Sequence, residues 1–420
     1  MQSRPGRIVS FLARGIAAAG VGVVFPLLGL AAEQLPPSRS FANLRALGLG
    51  VTPVALQGLS HGSTSGQNPA WVGLDGKARQ KETLRSLYFP EVTAGANGTT
   101  RSLAKAYFNG QGSTQQSIED FLKAAKNEQT PYGFFELAPS LSFLRFQMAM
   151  FARVEVEGYV WSRSDSSSVQ ADSLETGDVD GIFGLTGSDS QMLVRAEILR
   201  GARLAFSIPY KNTGVYLGLQ ARPTWRSEYS GDVSLSEPLA EQAATELKAK
   251  FNESSGIPLD LAATIRLARV KLMPTVGVMV DDFSDTLFKA NKNTHQSLIQ
   301  RSNLKIGASV WAVQGKSVAI QCTVAGHHLN DERVSGVDKV GVACESHIRG
   351  NQEADMIVNA PMVLRFGWNS RGVSYGGHWN SPLGLVEIAS APVRVLGPAG
   401  FSERLDQRYF VKLSVDVSGP

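Results

Sequence analysis

Leu144-Arg-Phe-Gln-Met-Ala-Met-Phe-Ala-Arg-Val-Glu-Val156 alternates almost without fault. Leu144, Phe146, Met148, Met150, Ala152, Val154 and Val156 fall on one parity, and Arg145, Gln147, Arg153 and Glu155 on the other. Ala149 and Phe151 are the only apolar members of the second set. Successive side chains of a strand point to opposite faces, so the stretch is one long two-faced strand.

The same period recurs towards the C-terminus. Met192, Val194, Ala196 and Ile198 oppose Arg195 and Glu197. Val215, Leu217 and Leu219 oppose Gln220 and Arg222, and Ile306, Ala308 and Val310 oppose Lys305 and Ser309. Met362, Leu364, Phe366 and Trp368 oppose Arg365 and Asn369, and Tyr409, Val411 and Leu413 oppose Lys412 and Ser414. Weaker segments at 134–142, 260–271, 274–282, 338–346 and 383–389 bring the expectation to about a dozen to fourteen strands, with insertions at 163–190, 227–257 and 283–303. That is too many for one immunoglobulin-like sandwich, and no short repeat suggests a propeller or solenoid.

Alternation alone leaves open which face meets water. In a soluble sandwich the apolar face is core, whereas in a transmembrane barrel it meets lipid and the polar face lines the lumen. Three features favour the barrel. Strands such as 142–157 exceed the usual ~5–6 residues and match the ~9–11 needed to cross a bilayer at a tilt. Arg145, Arg153, Arg195, Arg203, Arg266 and Arg365 share the polar face with Glu155, Glu157 and Glu197, which suits a wet lumen. Trp161, Trp225, Trp368, Tyr375, Trp379 and Tyr409 sit near strand ends, as an aromatic girdle does. A secreted soluble β protein or hydrolase is the competing reading.

The N-terminus reads differently. Arg4, Arg7 and Arg14 precede the apolar run Gly15 to Leu30, which leads to Ala31-Ala32-Glu33, so residues 1–32 are read as a secretory signal peptide. Removing those three arginines from the 41 basic residues leaves 38 against 37 acidic ones, a net charge of +1. Such a balance gives no counterion-releasing basic face, and nucleic acid is excluded as a partner. After residue 32 no apolar run reaches helical membrane-spanning length. Residues 33–133 are expected to be loop and helix, with helices over Lys77 to Leu87 and Thr114 to Lys126, and residues 134–420 to form the barrel. A further helix is expected over Leu239 to Phe251.

Within the N-terminal part stands Gly66-Gln67-Asn68-Pro69-Ala70-Trp71, after a Gly/Ala-rich stretch and ahead of the long alternating strands. With this layout the chain resembles the FadL-like superfamily of porin-fold outer-membrane β-barrels. The resemblance implies that Asn68, Pro69 and Ala70 belong to a hatch segment inside the barrel and take part in ligand binding. It also implies membrane lipid or hydrophobic small molecules as partners. The chain differs in carrying Trp71 where the family has glycine and in ending Val415-Asp-Val-Ser-Gly-Pro420 instead of on an aromatic residue. A homo-oligomeric porin-fold assembly that encloses or organises membrane lipid is therefore the alternative.

Other constellations have plainer readings. Gly372-Val-Ser-Tyr-Gly376 matches G-x-S-x-G and His378 follows, but the nucleophile elbow needs a strand, a sharp turn and a helix, and Ser374 lies within an alternating strand. Asp178-Val-Asp-Gly181 lacks the first and last ligands of a calcium loop. His327, His328, Asp331, Glu332 and His347 have no metal-site spacing. Cys322 and Cys344 come opposite each other if the intervening hairpin closes near Arg333; in an oxidising compartment they would pair, the alternative being two unbonded side chains facing lipid. The expectation is thus an all-β, antiparallel transmembrane barrel in the outer membrane of a Gram-negative bacterium, with no catalytic residues, metal or cofactor. Arg145, Arg153, Glu155, Arg195, Glu197 and Arg365 are expected to line its lumen.

Overall fold

A computed structural model of the chain describes residues 33–34, 44–51, 54–56, 68–72, 85–101, 130–143, 145–162, 190–210, 214–234, 251–291, 297–315, 317–332, 334–348, 362–381, 384–395 and 404–416. Fourteen antiparallel staves pair in chain order and the last returns to the first. They are β1 (Arg85–Asn97), β2 (Tyr132–Leu137 continued by Ser140–Phe143), β3 (Phe146–Ser162), β4 (Ser190–Tyr210), β5 (Val215–Ala221 and Thr224–Ser234), β6 (Asn252–Gly256 and Leu259–Arg266) and β7 (Thr275–Asp281 and Leu287–Ala290). The circuit continues through β8 (Leu298–Ile299 and Asn303–Gln314), β9 (Val318–Gly326), β10 (Val340–Ile348), β11 (Met362–Asn369), β12 (Gly372–Ser381), β13 (Gly384–Val395) and β14 (Arg404–Asp416). β14 closes on β1 through Val92 opposite Leu413 and Ala94 opposite Val411. Closure leaves no sheet edge, so every stave has a ladder partner on both sides.

The parity read from residues 144–156 holds along β3. Phe146, Met148, Met150, Ala152, Val154 and Val156 are exposed, and Gln147, Arg153 and Glu157 are buried. The exposed set points out of the barrel. Met150 is 64% exposed, and Phe206, Leu219, Leu261, Val276, Phe366, Leu364, Ile388 and Leu413 continue the belt on other staves. Among the described residues no second sheet covers these stripes, and the strands form one closed barrel instead of a sandwich. Water-soluble monomers rarely leave so large an apolar surface uncovered. Among the described residues no helix is long and apolar enough to cross a membrane.

Two expectations about the first third of the chain are corrected. The stretch 33–133 contains a barrel stave, β1, and the expected helix over Lys77 to Leu87 ends inside that stave at Arg85–Leu87. The cause is a parity slip. Tyr88 and Glu91 face inward three residues apart, with Phe89–Pro90 forming a break in the ladder to β14, so a period-two reading loses the strand. The insertion expected at 227–257 likewise contributes both halves of the β5–β6 pairing, from Thr224 opposite Gly256 to Glu228 opposite Asn252, and that at 283–303 includes Leu287–Ala290 and Leu298–Ile299. Residues 1–32, the acidic loop around Asp178 and the expected helices over 114–126 and 239–250 lie outside the described residues.

Several staves are interrupted at proline or a turn: β2 at Ala138–Pro139, β5 at Arg222–Pro223, β6 at Ile257–Pro258 and β7 at residues 282–286. Proline cannot donate to a ladder. Substitute bonds keep the wall joined there, with Met150 N–H donating to Pro139 O, Ala202 N–H to Pro223 O and Arg222 N–H to Pro258 O. One end of the barrel carries the connections 144–145, 211–214, 267–274, 315–317, 349–361 and 382–383, short but for the fifth. The other carries 98–131, 163–189, 235–251, 291–297, 327–339, 370–371 and 396–403, most of them longer.

Candidate functional site

The barrel is not empty. Residues 44–51, 54–56 and 68–72 run along its inner wall, beginning with helix α1 (Leu44–Leu49) and ending in a 3-10 turn at Pro69–Trp71. The wall accommodates their backbone because it is built of glycine where they touch it. A Cβ on Gly218 of β5 would lie 2.1 Å from Ala70 N, and one on Gly277 of β7 would lie 2.5 Å from Val54 O. A Cβ on Gly341 of β10 would lie 2.5 Å from Val51 Cγ1, and one on Gly367 of β11 would lie 1.7 Å from Leu49 O. The inner parity of these staves thus carries a track shaped to the segment.

Asn68 fixes the turn. Its Oδ1 accepts from Ala70 N–H at 2.9 Å, and its amide donates to Val54 O and to Thr264 Oγ1 of β6, each at 2.8 Å. Pro69 follows at the first helical position, where a missing N–H costs nothing. Ala70 O accepts from Ser207 Oγ of β4 at 3.0 Å. Trp71, which stands where the resembled family has glycine, donates its indole N–H to Val54 O at 3.1 Å. Asn68-Pro69-Ala70 is therefore a backbone clamp between the segment and β4–β6.

At its other end the segment is held by charge. Arg45 of α1 donates to both carboxylate oxygens of Glu345 on β10, at 2.8 and 2.5 Å. Glu345 also receives Arg365 at 2.8 Å, Arg365 reaches Glu387 of β13 at 2.5 Å and His378 Nδ1 at 2.9 Å, and Lys412 of β14 bridges Glu387 at 3.8 Å and Glu91 of β1 at 2.9 Å. This chain spans six neighbouring staves, β10 to β14 and β1. A second network links Arg153 with Glu155, and Arg408 with Glu157 and Glu155. It continues to Arg195, 3.7 Å from Glu157, and to Arg226, 2.7 Å from Glu197. Unpaired buried charge is costly, and each of these groups has an opposite partner.

Apolar side chains fill the space beside the charges. Leu44 and Leu47 of α1 pack on Tyr132, Phe410, Ala389 and Ala391, with Phe134 against them. The rings of Tyr132 and Phe134 meet Phe410 edge-on at 6.0 and 5.6 Å. Leu49, Val51 and Leu56 form a second cluster with Ala325 and Ala343, and Val54 and Ala70 a third with Met279 and Ala262.

Of the residues expected in the lumen, Arg153, Glu155, Arg195, Glu197 and Arg365 are placed there. Arg145 is not: it is exposed in the two-residue turn between β2 and β3, because the strand starts at Phe146, two residues later than the alternation. Sequence reasoning missed Arg45, Glu345, Glu387 and the glycine track. Inward parity flags the two glutamates, whereas nothing local marks Arg45. Cys322 and Cys344 are directly opposite in the β9–β10 ladder and form a disulfide on the outer parity. Ser374 lies within β12, four residues from His378 on the same strand, which separates them by ~13 Å; a Ser–His pair is not formed. His347 faces Ala319, far along the ladder from His327 and His328 beyond Gly326, and no cluster of three metal-ligating groups occurs among the described residues.

No family model matches the chain, and no curated protein matches it. Among solved structures it is similar to the toluene transporter TodX of Pseudomonas putida, at 10% identity and a TM-score of 0.43 over 91% of this chain and 98% of that one. It is also similar to the toluene transporter TbuX of Ralstonia pickettii, at 12% identity and a TM-score of 0.42 over 83% and 92%.

Proposed function

We propose that the chain is an outer-membrane barrel of a Gram-negative bacterium, exported by residues 1–32, that binds or passes hydrophobic small molecules. The observation that carries this reading is a closed wall, apolar outside, whose lumen holds its own N-terminal segment. Hydrocarbon outside demands a wall with no unpaired backbone, which closure supplies. A segment seated in the lumen narrows the path for hydrated solutes. Leu44 and Leu47 of the segment and Tyr132, Phe134 and Phe410 of the wall make the packing between them apolar. Asn68, Pro69 and Ala70 act by holding the segment in place. The end with short connections faces the periplasm and the end with long ones the exterior, as in other barrels of this kind.

The test is uptake in Gram-negative cells lacking their own hydrophobic-compound channels. Expression of the chain is expected to speed entry of a radiolabelled long-chain fatty acid or of toluene while leaving sucrose entry unchanged. Free passage of sucrose with no effect on either apolar solute would overturn the proposal.

A further inference from the structure

On the outer face, one cross-strand row departs from the apolar belt. Arg200 of β4 stands opposite Trp225 of β5, Trp225 opposite Ser255 of β6, and Ser255 opposite Lys289 of β7. Arg200 and Lys289 are exposed, and Trp225 is 56% exposed between them. Neither cation has a carboxylate partner among the described residues. Three ladder steps separate the two backbones by ~14 Å, within which both long side chains can converge.

The row has a definite height. Arg200 is ten residues from Tyr210 at the short-turn end, ~33 Å along the strand and ~24 Å along the normal at the usual barrel tilt, which is the thickness of the apolar band. The composition on β5–β7 changes there. Below the row the outer face shows Leu219, Leu261, Ile257 and Phe283, the last two 60% and 44% exposed. Above it come Ser227 and Glu253. A tryptophan at such a boundary is an interface residue, and two exposed cations beside it make a place for anionic headgroups.

We propose that Arg200, Trp225, Ser255 and Lys289 form a docking site for a phosphorylated glycolipid of the outer leaflet. Its phosphates are held by Arg200 and Lys289, its sugar rests on Trp225, and its acyl chains lie over Ile257 and Phe283. The site rests on the outer-membrane reading and its sidedness. The spacing of the cations suits a headgroup with two phosphates, and the apolar surface beneath joins the belt, interrupted on β7 by exposed Ser284 and Asp285.

The test is binding of diphosphoryl lipid A, its monophosphoryl form and phosphatidylglycerol to the purified full-length barrel in detergent, read by native mass spectrometry. Arg200→Gln and Lys289→Gln are each expected to weaken diphosphoryl lipid A about fivefold, and together about thirtyfold. Arg269→Gln, an exposed cation in the opposite-end turn 267–274, is expected to leave binding unchanged. Wild-type affinity in the double variant, or an equal loss in Arg269→Gln, overturns the site while a heat-modifiable band still upholds the barrel. An unaltered protein without that band overturns the membrane reading and the site together.

Discussion

Arg45 and Glu345 are 300 residues apart in the chain and make a two-point ion pair sealed inside the barrel. One belongs to the threaded segment and the other to the wall, so the pair ties the segment to β10. Removing one member of a buried pair typically costs ~3–5 kcal/mol. Arg45→Met leaves Glu345 paired with Arg365, but Arg365 and Lys412 then face three carboxylates, Glu345, Glu387 and Glu91. The expected outcome is higher single-channel conductance in planar bilayers with an unchanged heat-modifiable band. Unaltered conductance would show that the pair does not hold the segment.

Gly367 tests the track. Alanine there would put its methyl 1.7 Å from Leu49 O, whereas alanine at Gly307 meets Ala325 Cβ at 3.3 Å and Ala55 N at 3.5 Å. Gly367→Ala is expected to unseat the segment and speed amide exchange at Leu49 and Val51. Gly307→Ala is expected to change exchange little.

Asn68→Ala deletes three hydrogen bonds at once. Each stranded buried partner costs ~1–3 kcal/mol, although Val54 O retains the Trp71 indole. Proteolysis within the N-terminal segment is expected to rise while the staves stay protected. Equal protection in variant and wild type would remove Asn68 from the clamp.

The Cys322–Cys344 bond closes a loop with a sequence separation of 22, for which chain entropy gives about 3 kcal/mol. Cys322→Ser with Cys344→Ser is expected to lower the temperature at which heat-modifiability is lost, and to make that temperature insensitive to reductant. Uptake should not change, since the bond lies on the outer parity.

Phe366 reports on what surrounds the barrel. It is 58% exposed in mid-stave on β11. Arginine there is expected to cost ~2–4 kcal/mol in lipid, measured by urea titration of the barrel folded into vesicles. A neutral effect would mean that water, and not hydrocarbon, meets this face.

The alternating staves were legible in sequence because each records its two environments in its own parity. Residues 146–156, 362–369 and 405–415 need no neighbour to declare which side is apolar. β1 was not legible, since the slip at Phe89–Pro90 divides its pattern into halves too short to register. Arg145 was misplaced for a related reason: alternation continues through a turn that the backbone does not. The site was less readable than the wall. Asn68-Pro69-Ala70 could be noticed as a motif, but its partners Thr264 and Ser207 are distant in sequence.

The sequence by itself determined that long two-faced strands follow a differently built N-terminal segment, because side-chain alternation is a local property of extended backbone. Only the tertiary structure decided that the strands close on one another, that Arg45 finds Glu345, and that glycines on separate staves line up beneath one segment. Those relationships depend on stave order and register, which no local pattern encodes. A residue's inward or outward parity is written beside it, while the identity of what it meets is set by closure.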